Sequence, residues 1–403
     1  MKKKIFFDVI LSIASTFIPL FGLQFLFLPQ VSQIIGAESY GQMLAIVALF
    51  NLFGSAFGSV LNNSKLIQNN KYKEMNVIGD FNIILLIYII MNIALITITS
   101  PLFWGSYNLN LPLFFVIVVS SILLILQYYM TSEYRIELNY KFILSNSVIQ
   151  LIGYFVGFVA FIATKNWVYI YLISFLFSFT FIFKTTSILK DPYHRTAEFN
   201  STFKQTNILL GSGILASLAG YIDKLIIFPL LGGAALSIYY VSTILGKTIS
   251  MAIGPITSVL LSYLSQFKKF SHKNFKFMIL VVTSTGTIGY LIILLVSESI
   301  LSLLYPQFVE EALIYIPVTT ATIVINIIAS FINPVIMKFT NARWQIYIYG
   351  VHLVSYVLLS VLLQINFGLF GFCIGLLISQ IIKLLIMLLA YQVNRNVINV
   401  GEL

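Results

Sequence analysis

Long apolar runs dominate the chain, and short polar or basic segments separate them. Runs such as Phe81 to Ile98 and Ile279 to Val296 show no alternation of apolar and polar positions. A strand of an outer-membrane barrel would alternate over about ten residues. These runs instead reach the roughly 20 residues that a helix needs to cross about 30 Å of hydrocarbon. The pattern predicts twelve membrane-spanning helices, over 9–35, 41–61, 80–100, 112–131, 142–163, 168–187, 206–230, 237–265, 277–297, 312–337, 344–364 and 368–393. The start, Met1-Lys2-Lys3-Lys4 before an apolar run, mimics a signal peptide. The run is too long for one, contains Pro19 and Pro29, and lacks a small-residue cleavage site, so it reads as the first span.

Composition sharpens this picture. Of the 403 residues, 59% are apolar and only 9% are charged, against about 25% charged in soluble domains. So few charges exclude a soluble enzyme or a nucleic-acid binder, whatever the net charge of +10 suggests. The basic excess reads first as loop topology. If the N-terminus is cytoplasmic, the inner segments hold Lys2, Lys3, Lys4, Lys65, Lys71, Lys73, Arg135, Lys141, Lys184, Lys190, Arg195, Lys204, Lys268, Lys269, Lys273, Lys276, Lys338, Arg343 and Arg395. The outer loops hold Lys165 alone, and Lys224, Lys247 and Lys383 remain inside spans. A wrong span count would scramble that alternation, so both termini are placed in the cytoplasm. Trp104, Trp167 and Trp344 fall at span ends, as an interfacial aromatic belt requires. Cys373 is the single cysteine; it has no intramolecular disulfide partner and reads as a packing residue.

The two halves repeat at an offset of 196 residues. Ile35-Gly36-Ala37-Glu38-Ser39-Tyr40-Gly41 between spans 1 and 2 aligns with Leu231-Gly232-Gly233-Ala234-Ala235-Leu236-Ser237 between spans 7 and 8. Gly58 aligns with Gly254. Six spans per repeat keep both halves in one orientation, which implies a parallel repeat and a cavity between two bundles. The expected division is an N-terminal lobe 1–187, a linker 188–205 and a C-terminal lobe 206–403.

Asp223-Lys224-Leu225-Ile226-Ile227, followed by Leu231 to Tyr239, resembles the span 7–8 hairpin of polysaccharide flippases. These Wzx-type proteins belong to the multidrug/oligosaccharidyl-lipid/polysaccharide exporter superfamily. Ser237 stands where their pattern has Gly. The turn Gly36 to Gly41 and the stretch Ser132-Glu133-Tyr134-Arg135 to Lys141 are also similar to the family. The resemblance implies an all-α integral membrane protein, with two six-helix lobes in a V around a central cavity. It implies translocation of undecaprenyl-diphosphate-linked oligosaccharide repeat units from the inner to the outer leaflet, for surface polysaccharide or capsule synthesis. Glycosyltransferases and a polysaccharide polymerase would then act in the same pathway.

A charge at mid-membrane costs about 2.5–3.5 kcal/mol on insertion scales, so it needs a partner or a wet cavity. Lys247 lies about 15 Å into span 8 at 1.5 Å per residue, flanked by Gly246 and Gly254-Pro255, where the helix can bend. Lys247, Lys224 and Lys383 are the candidate diphosphate contacts, since an ammonium is a point charge suited to a moving phosphate. Lys224 and Lys383 are also close enough to span ends to snorkel. Asp223 either pairs with Lys247 or couples transport to a proton or sodium gradient. Gln24, Asn51, Gln127, Asn146, Gln150 and Asn326 are candidate glycan contacts, with interhelical hydrogen bonding as the alternative use of such amides. Pro19, Pro29, Pro255 and Pro334 mark kink positions. The basic stretch Lys268 to Lys276 suits anionic headgroups or recruitment of a diphosphate.

Other chemistries find no support. Gly246-Lys247-Thr248 lacks the first glycine of a phosphate-binding loop, because position 241 is Val. His194, His272 and His352 have no metal-ligand spacing, and no catalytic triad emerges, so neither metal nor cofactor is expected. A multidrug exporter of the same superfamily is the closest rival, but an organic-cation site favours carboxylates. A membrane-embedded polymerase would need a large outer loop, which the chain lacks.

Overall fold

The computed structural model describes residues 2–103, 111–251, 253–265, 269–341 and 343–394. Trp104, Lys268 and Arg395 lie outside them. The described residues are almost entirely helical, and strands are absent among them. Among the described residues, ten helices are long and apolar enough to cross a membrane. Two of these are double. α8 (Phe199–Met251) breaks at Gly232, with φ 85° and ψ 179°, and α12 (Arg343–Val393) breaks at Gly368, with φ 56° and ψ −141°. Each break returns two membrane-crossing arms where one helix is continuous by hydrogen bonding, which reconciles ten helices with twelve spans.

The chain forms two compact units, Met1–Leu236 and Ser237–Leu403. The first unit opens with α1 (Lys2–Phe21), a π-helical turn (Gly22–Phe27) and α2 (Leu28–Ile35), which together make the first span. A Cβ on Gly22 would stand 2.2 Å from Leu151 Cδ1, so the widened turn sits where this helix meets α6 (Tyr140–Thr164). α3 (Ala37–Met75), α4 (Asp80–Thr99), α5 (Leu111–Ile136) and α7 (Val168–Thr185) complete the unit with the first arm of α8. Its core packs Phe57, Leu61, Ile84, Tyr88, Ile125 and Tyr129 against Leu210 of α8.

Several boundaries differ from those read off hydropathy. α3 continues past residue 61 to Met75, so Lys65, Lys71 and Lys73 ride on a helix rather than a loop. Apolarity stops there but helicity does not, because the polar face finds acids: Lys65 pairs with Asp191 at 3.3 Å, and Lys71 pairs with Glu198. α8 starts at Phe199, inside the expected 188–205 linker. The rest of that linker is tied down. Asn82 donates to the carbonyls of Ile188 and Asp191, Glu133 accepts from the amides of Ser187 and Ile188, and Asp80 accepts from the amide of Thr196. The first arm of α8 docks on the first unit through Ser64–Thr206 at 2.6 Å and Tyr88–Asn207 at 2.9 Å.

The second unit contains the end of α8, α9 (Ile253–Ser265), α10 (His272–Leu304), α11 (Val309–Phe339) and α12. Within the span expected over 237–265, the described residues are helical up to Met251 and from Ile253 to Ser265. α10 begins at His272 with Ser271 as its cap, the hydroxyl accepting from the amide of Asn274, so Lys273 and Lys276 are helical. α11 passes Pro317 and Pro334 without interruption. Its core gathers Ile332, Ile336, Ile348, Met387 and Tyr391.

Without a hydrophobic drive between helices in lipid, close backbone approach supplies the packing energy. Gly153 and Gly157 on α6 let α7 approach until a Cβ would stand 2.6 Å from Ser174 Cα and 2.7 Å from Ile170 Cα. Gly371 and Gly375 do the same between the arms of α12, against Leu363 O at 2.1 Å and Ser360 Cα at 2.6 Å. Gly375→Val is therefore expected to lower the melting temperature of the detergent-purified protein, at a cost of about 1–3 kcal/mol. Gly289→Ala, where a Cβ meets open space, is expected to leave it unchanged or raise it; equal melting of the two variants would contradict this packing.

Candidate functional site

The repeat at offset 196 is visible in the backbone. Gly36 has φ 79° and ψ 168°, and its counterpart Gly232 has φ 85° and ψ 179°. Both turn the chain between two antiparallel helices in a conformation that an L side chain resists. The two turns touch. A Cβ on Gly41 would stand 1.8 Å from Gly233 O, and one on Gly233 would stand 2.1 Å from Glu38 O. Glu38 closes the contact: its carboxylate accepts from the amides of Gly233 at 2.9 Å and Ala234 at 2.8 Å. These amides open the second arm of α8, where the helix leaves donors unsatisfied and carries partial positive charge. Glu38 thus caps a helix that lies 195 residues away in sequence.

Asp223 is buried, and its Oδ1 accepts from the amide of Lys224 at 2.9 Å. Lys224 Nζ lies 5.6 Å from the Tyr221 ring centroid. Among the amides, Gln127 donates to Gln150 Oε1 at 3.0 Å, joining α5 to α6. Asn146 Oδ1 accepts from Ser178 at 2.8 Å, joining α6 to α7. Gln24 sits half-buried in the π-helical turn, and Asn51 half-buried on α3. The first unit also holds a cavity of about 210 Å³ lined by Lys65, Asn69, Tyr72, Lys73, Asn82 and Asp191 among others.

In the second unit, Lys247 is half-buried with Nζ 5.2 Å from the Tyr239 ring centroid. Its neighbour Gly246 receives α11, since a Cβ there would stand 2.6 Å from Ile323 Cδ1. Thr319 Oγ1 donates to the Ser242 carbonyl at 3.0 Å and fixes the same contact. Lys383 is 8% exposed and donates to Asn326 Oδ1 at 3.0 Å, with Nζ 5.6 Å from the Tyr349 ring. The structure therefore brings Lys383 and Asn326 together, and Gln127 with Gln150. Cys373 is buried, and its neighbour Phe372 makes an edge-on contact with Tyr239. Among the described residues, no cluster of three His, Cys, Asp or Glu side chains could hold a metal ion.

Sequence reasoning missed the capping role of Glu38, although it lies inside the repeat motif. The signal was present: an acid two residues after a turn glycine, in one repeat and absent from the other. It also missed the polar anchors Asp80, Asn82 and Glu133, whose partners are remote in sequence.

No protein-family model and no curated protein matches the chain. Solved structures do. The lipid II flippase MurJ, in an inward closed conformation, superposes with a TM-score of 0.68 at 16% identity, over 95% of this chain and 87% of that one. An inward-facing multidrug resistance MATE family transporter of the MOP superfamily gives 0.64 at 14% identity, over 96% of each chain. The Vibrio cholerae MATE transporter VcmN, in the bent form, gives 0.55 at 14%, over 99% and 98%. The chain has the fold that these transporters share.

The cap is testable without knowledge of cargo. Glu38→Ala is expected to speed hydrogen exchange at the amides of Gly233 and Ala234, by a cost of about 0.5–2 kcal/mol, as for loss of a helix cap. Unchanged exchange at those two amides would contradict the cap.

Proposed function

We propose that this chain is a flippase of the MOP type that carries undecaprenyl-diphosphate-linked oligosaccharide repeat units across a bacterial cytoplasmic membrane by alternating access. The carrying observation is the charge balance of the second unit. From Ser237 onward the sequence contains no Asp, and its only acids are Glu298, Glu310, Glu311 and Glu402. Glu298, Glu310 and Glu311 are exposed, while Lys247 and Lys383 lie inside membrane-crossing helices. A unit so built repels organic cations and attracts anions. A diphosphate crossing a low-dielectric slab needs such charges, because an unpaired anion there is strongly disfavoured. A fold shared with a lipid II flippase supports a lipid-linked cargo.

In this reading Lys247 is the principal diphosphate contact. Gly246 admits α11 on one side of it, and Tyr239 holds the stem-end ammonium on the other. Lys224, over Tyr221, is the second contact. Gln24 and Asn51, both half-buried, are the amides this reading assigns to sugar hydroxyls, while Gln127, Gln150, Asn146 and Asn326 bond to their neighbours. The protein then works without a catalytic step, with both termini cytoplasmic, and its cargo comes from glycosyltransferases and goes to a polymerase.

Reconstituted protein and a fluorescent undecaprenyl-diphosphate oligosaccharide test this. Lys247→Ala is expected to slow flipping by about 10- to 100-fold, equivalent to about 1.4–2.8 kcal/mol, and Lys247→Arg to retain most of it. A rate unchanged in Lys247→Ala removes that lysine from the mechanism. Robust export of cationic dyes by the wild type, with no flipping of the lipid probe, selects the multidrug reading instead.

A further inference from the structure

The buried end of Lys383 poses a problem that its hydrogen bond to Asn326 does not solve. An amide oxygen accepts one proton and supplies no counter-charge. The acids of the second unit are far from it: Glu310 and Glu311 open α11, about 20 Å along the helix from Asn326 at 1.5 Å per residue. Glu298 is exposed on α10. What faces Lys383 from the first arm of α12 is Tyr349, whose ring lies 5.6 Å from Nζ, with His352 about one helical turn further along the same arm. Its Nε2 is fully buried, with no hydrogen-bond partner among the described residues.

The remaining neighbours add no compensation. On α11 the ionisable groups Tyr315 and Lys338 are about three turns from Asn326. From α10, His272 is already bonded to Tyr391 Oη at 3.0 Å, two turns beyond Lys383. From the end of α8, Lys247 faces Tyr239 and Cys373. Two basic groups therefore share one low-dielectric region in which no carboxylate stands beside them among the described residues of the second unit. Both cannot carry charge at once at modest cost, because like charges in such a site oppose each other's protonation.

We propose that Lys383 and His352, with Asn326 as the fixed acceptor, form a proton-exchange site inside the second unit. The site holds a single positive charge. With the proton on Lys383, the Tyr349 ring face and Asn326 Oδ1 stabilise the ammonium and His352 is neutral. When Nζ gives up that proton, the amine still donates to Asn326, and His352 Nε2 is free to accept a proton. The three residues join α11 to both arms of α12, so each protonation state favours its own packing of those helices. This assignment rests on the transport reading above for its purpose, namely coupling to a proton gradient, but the site itself stands on the geometry.

Two measurements separate the site from its purpose. In the full-length protein in lipid nanodiscs, selective ¹⁵N-histidine labelling reports the ring state of His352, with His352→Asn assigning the signal. At a fixed, mildly acidic pH, Lys383→Met is expected to raise the ratio of imidazolium to imidazole at His352 by about tenfold, the signature of a strongly coupled pair. Lys383→Gln, which keeps a donor for Asn326, is expected to do the same and guards against misfolding of the first variant. An unchanged ratio in both overturns the proposal. In proteoliposomes carrying the fluorescent lipid probe, His352→Asn is expected to flip at the wild-type rate without a gradient but to lose acceleration by an imposed pH gradient; retained acceleration overturns the coupling role. A wild type that flips no probe refutes the cargo assignment, while the ring measurement still decides the site.

Discussion

A chain that lies in lipid must satisfy its backbone amides from within, and this requirement governs the rest of the structure. It forces continuous helix through every apolar run and leaves reversal to a few glycines. Gly36, Gly232 and Gly368 turn the chain at positive φ while the hydrogen-bonded ladder is barely interrupted. At one of these turns the first amides of the new helix need an acceptor, and Glu38 supplies it from the equivalent turn of the other repeat. A carboxylate there also meets the positive end of the helix dipole. One glycine geometry, used twice, thus yields both the helix reversal and a contact between the reversals.

The same economy governs polar side chains. In the first unit several ionisable and amide groups away from the turn are committed to partners: Lys65 to Asp191, Lys71 to Glu198, Asn82 to the linker carbonyls, Gln127 to Gln150. These bonds hold the helical extension of α3, the linker and the start of α8 as one body. The second unit departs from that rule. Its membrane-crossing lysines meet aromatic faces and an amide, and no acid exists nearby in sequence to neutralise them. A merely structural bundle gives no reason to keep lysines at such positions, because replacing them with apolar residues removes a desolvation cost.

What hydropathy reveals is the length of apolar runs, and so the twelve crossings, the basic asymmetry and the repeat of Gly36 and Gly232 were all legible. It is blind to helix that continues after apolarity ends. Residues 62–75 look like a loop because ten of their fourteen positions are Asn, Ser, Gln, Lys or Glu, yet they stay helical because Asp191 and Glu198 wait on another segment. Partner choice for Gln127, Asn146 and Asn326 was illegible for the same reason: an amide within a span advertises a need for a hydrogen bond but not whether a neighbouring helix or a ligand meets it. The close approaches at Gly153–Gly157 and Gly371–Gly375 carried a spacing signal of four residues, recognisable as a packing motif but not assignable to a partner helix without the fold.

Among the candidate lysines, the structure divides what the sequence treated alike. Lys247 is half-buried on the helix that Glu38 caps, beside a glycine that lets α11 close against it. Lys383 is enclosed, its hydrogen bond running to α11 and the Tyr349 ring meeting it from the opposite arm of its own helix. A cargo phosphate must bind and leave within a cycle, which suits a side chain with room to move. A coupling proton needs the reverse: a site that excludes the cargo, where a change of one charge alters how helices pack. On the proposed reading, the exposure of the two lysines therefore separates cargo binding from coupling, while α11, touching both, is the element through which one site can sense the other.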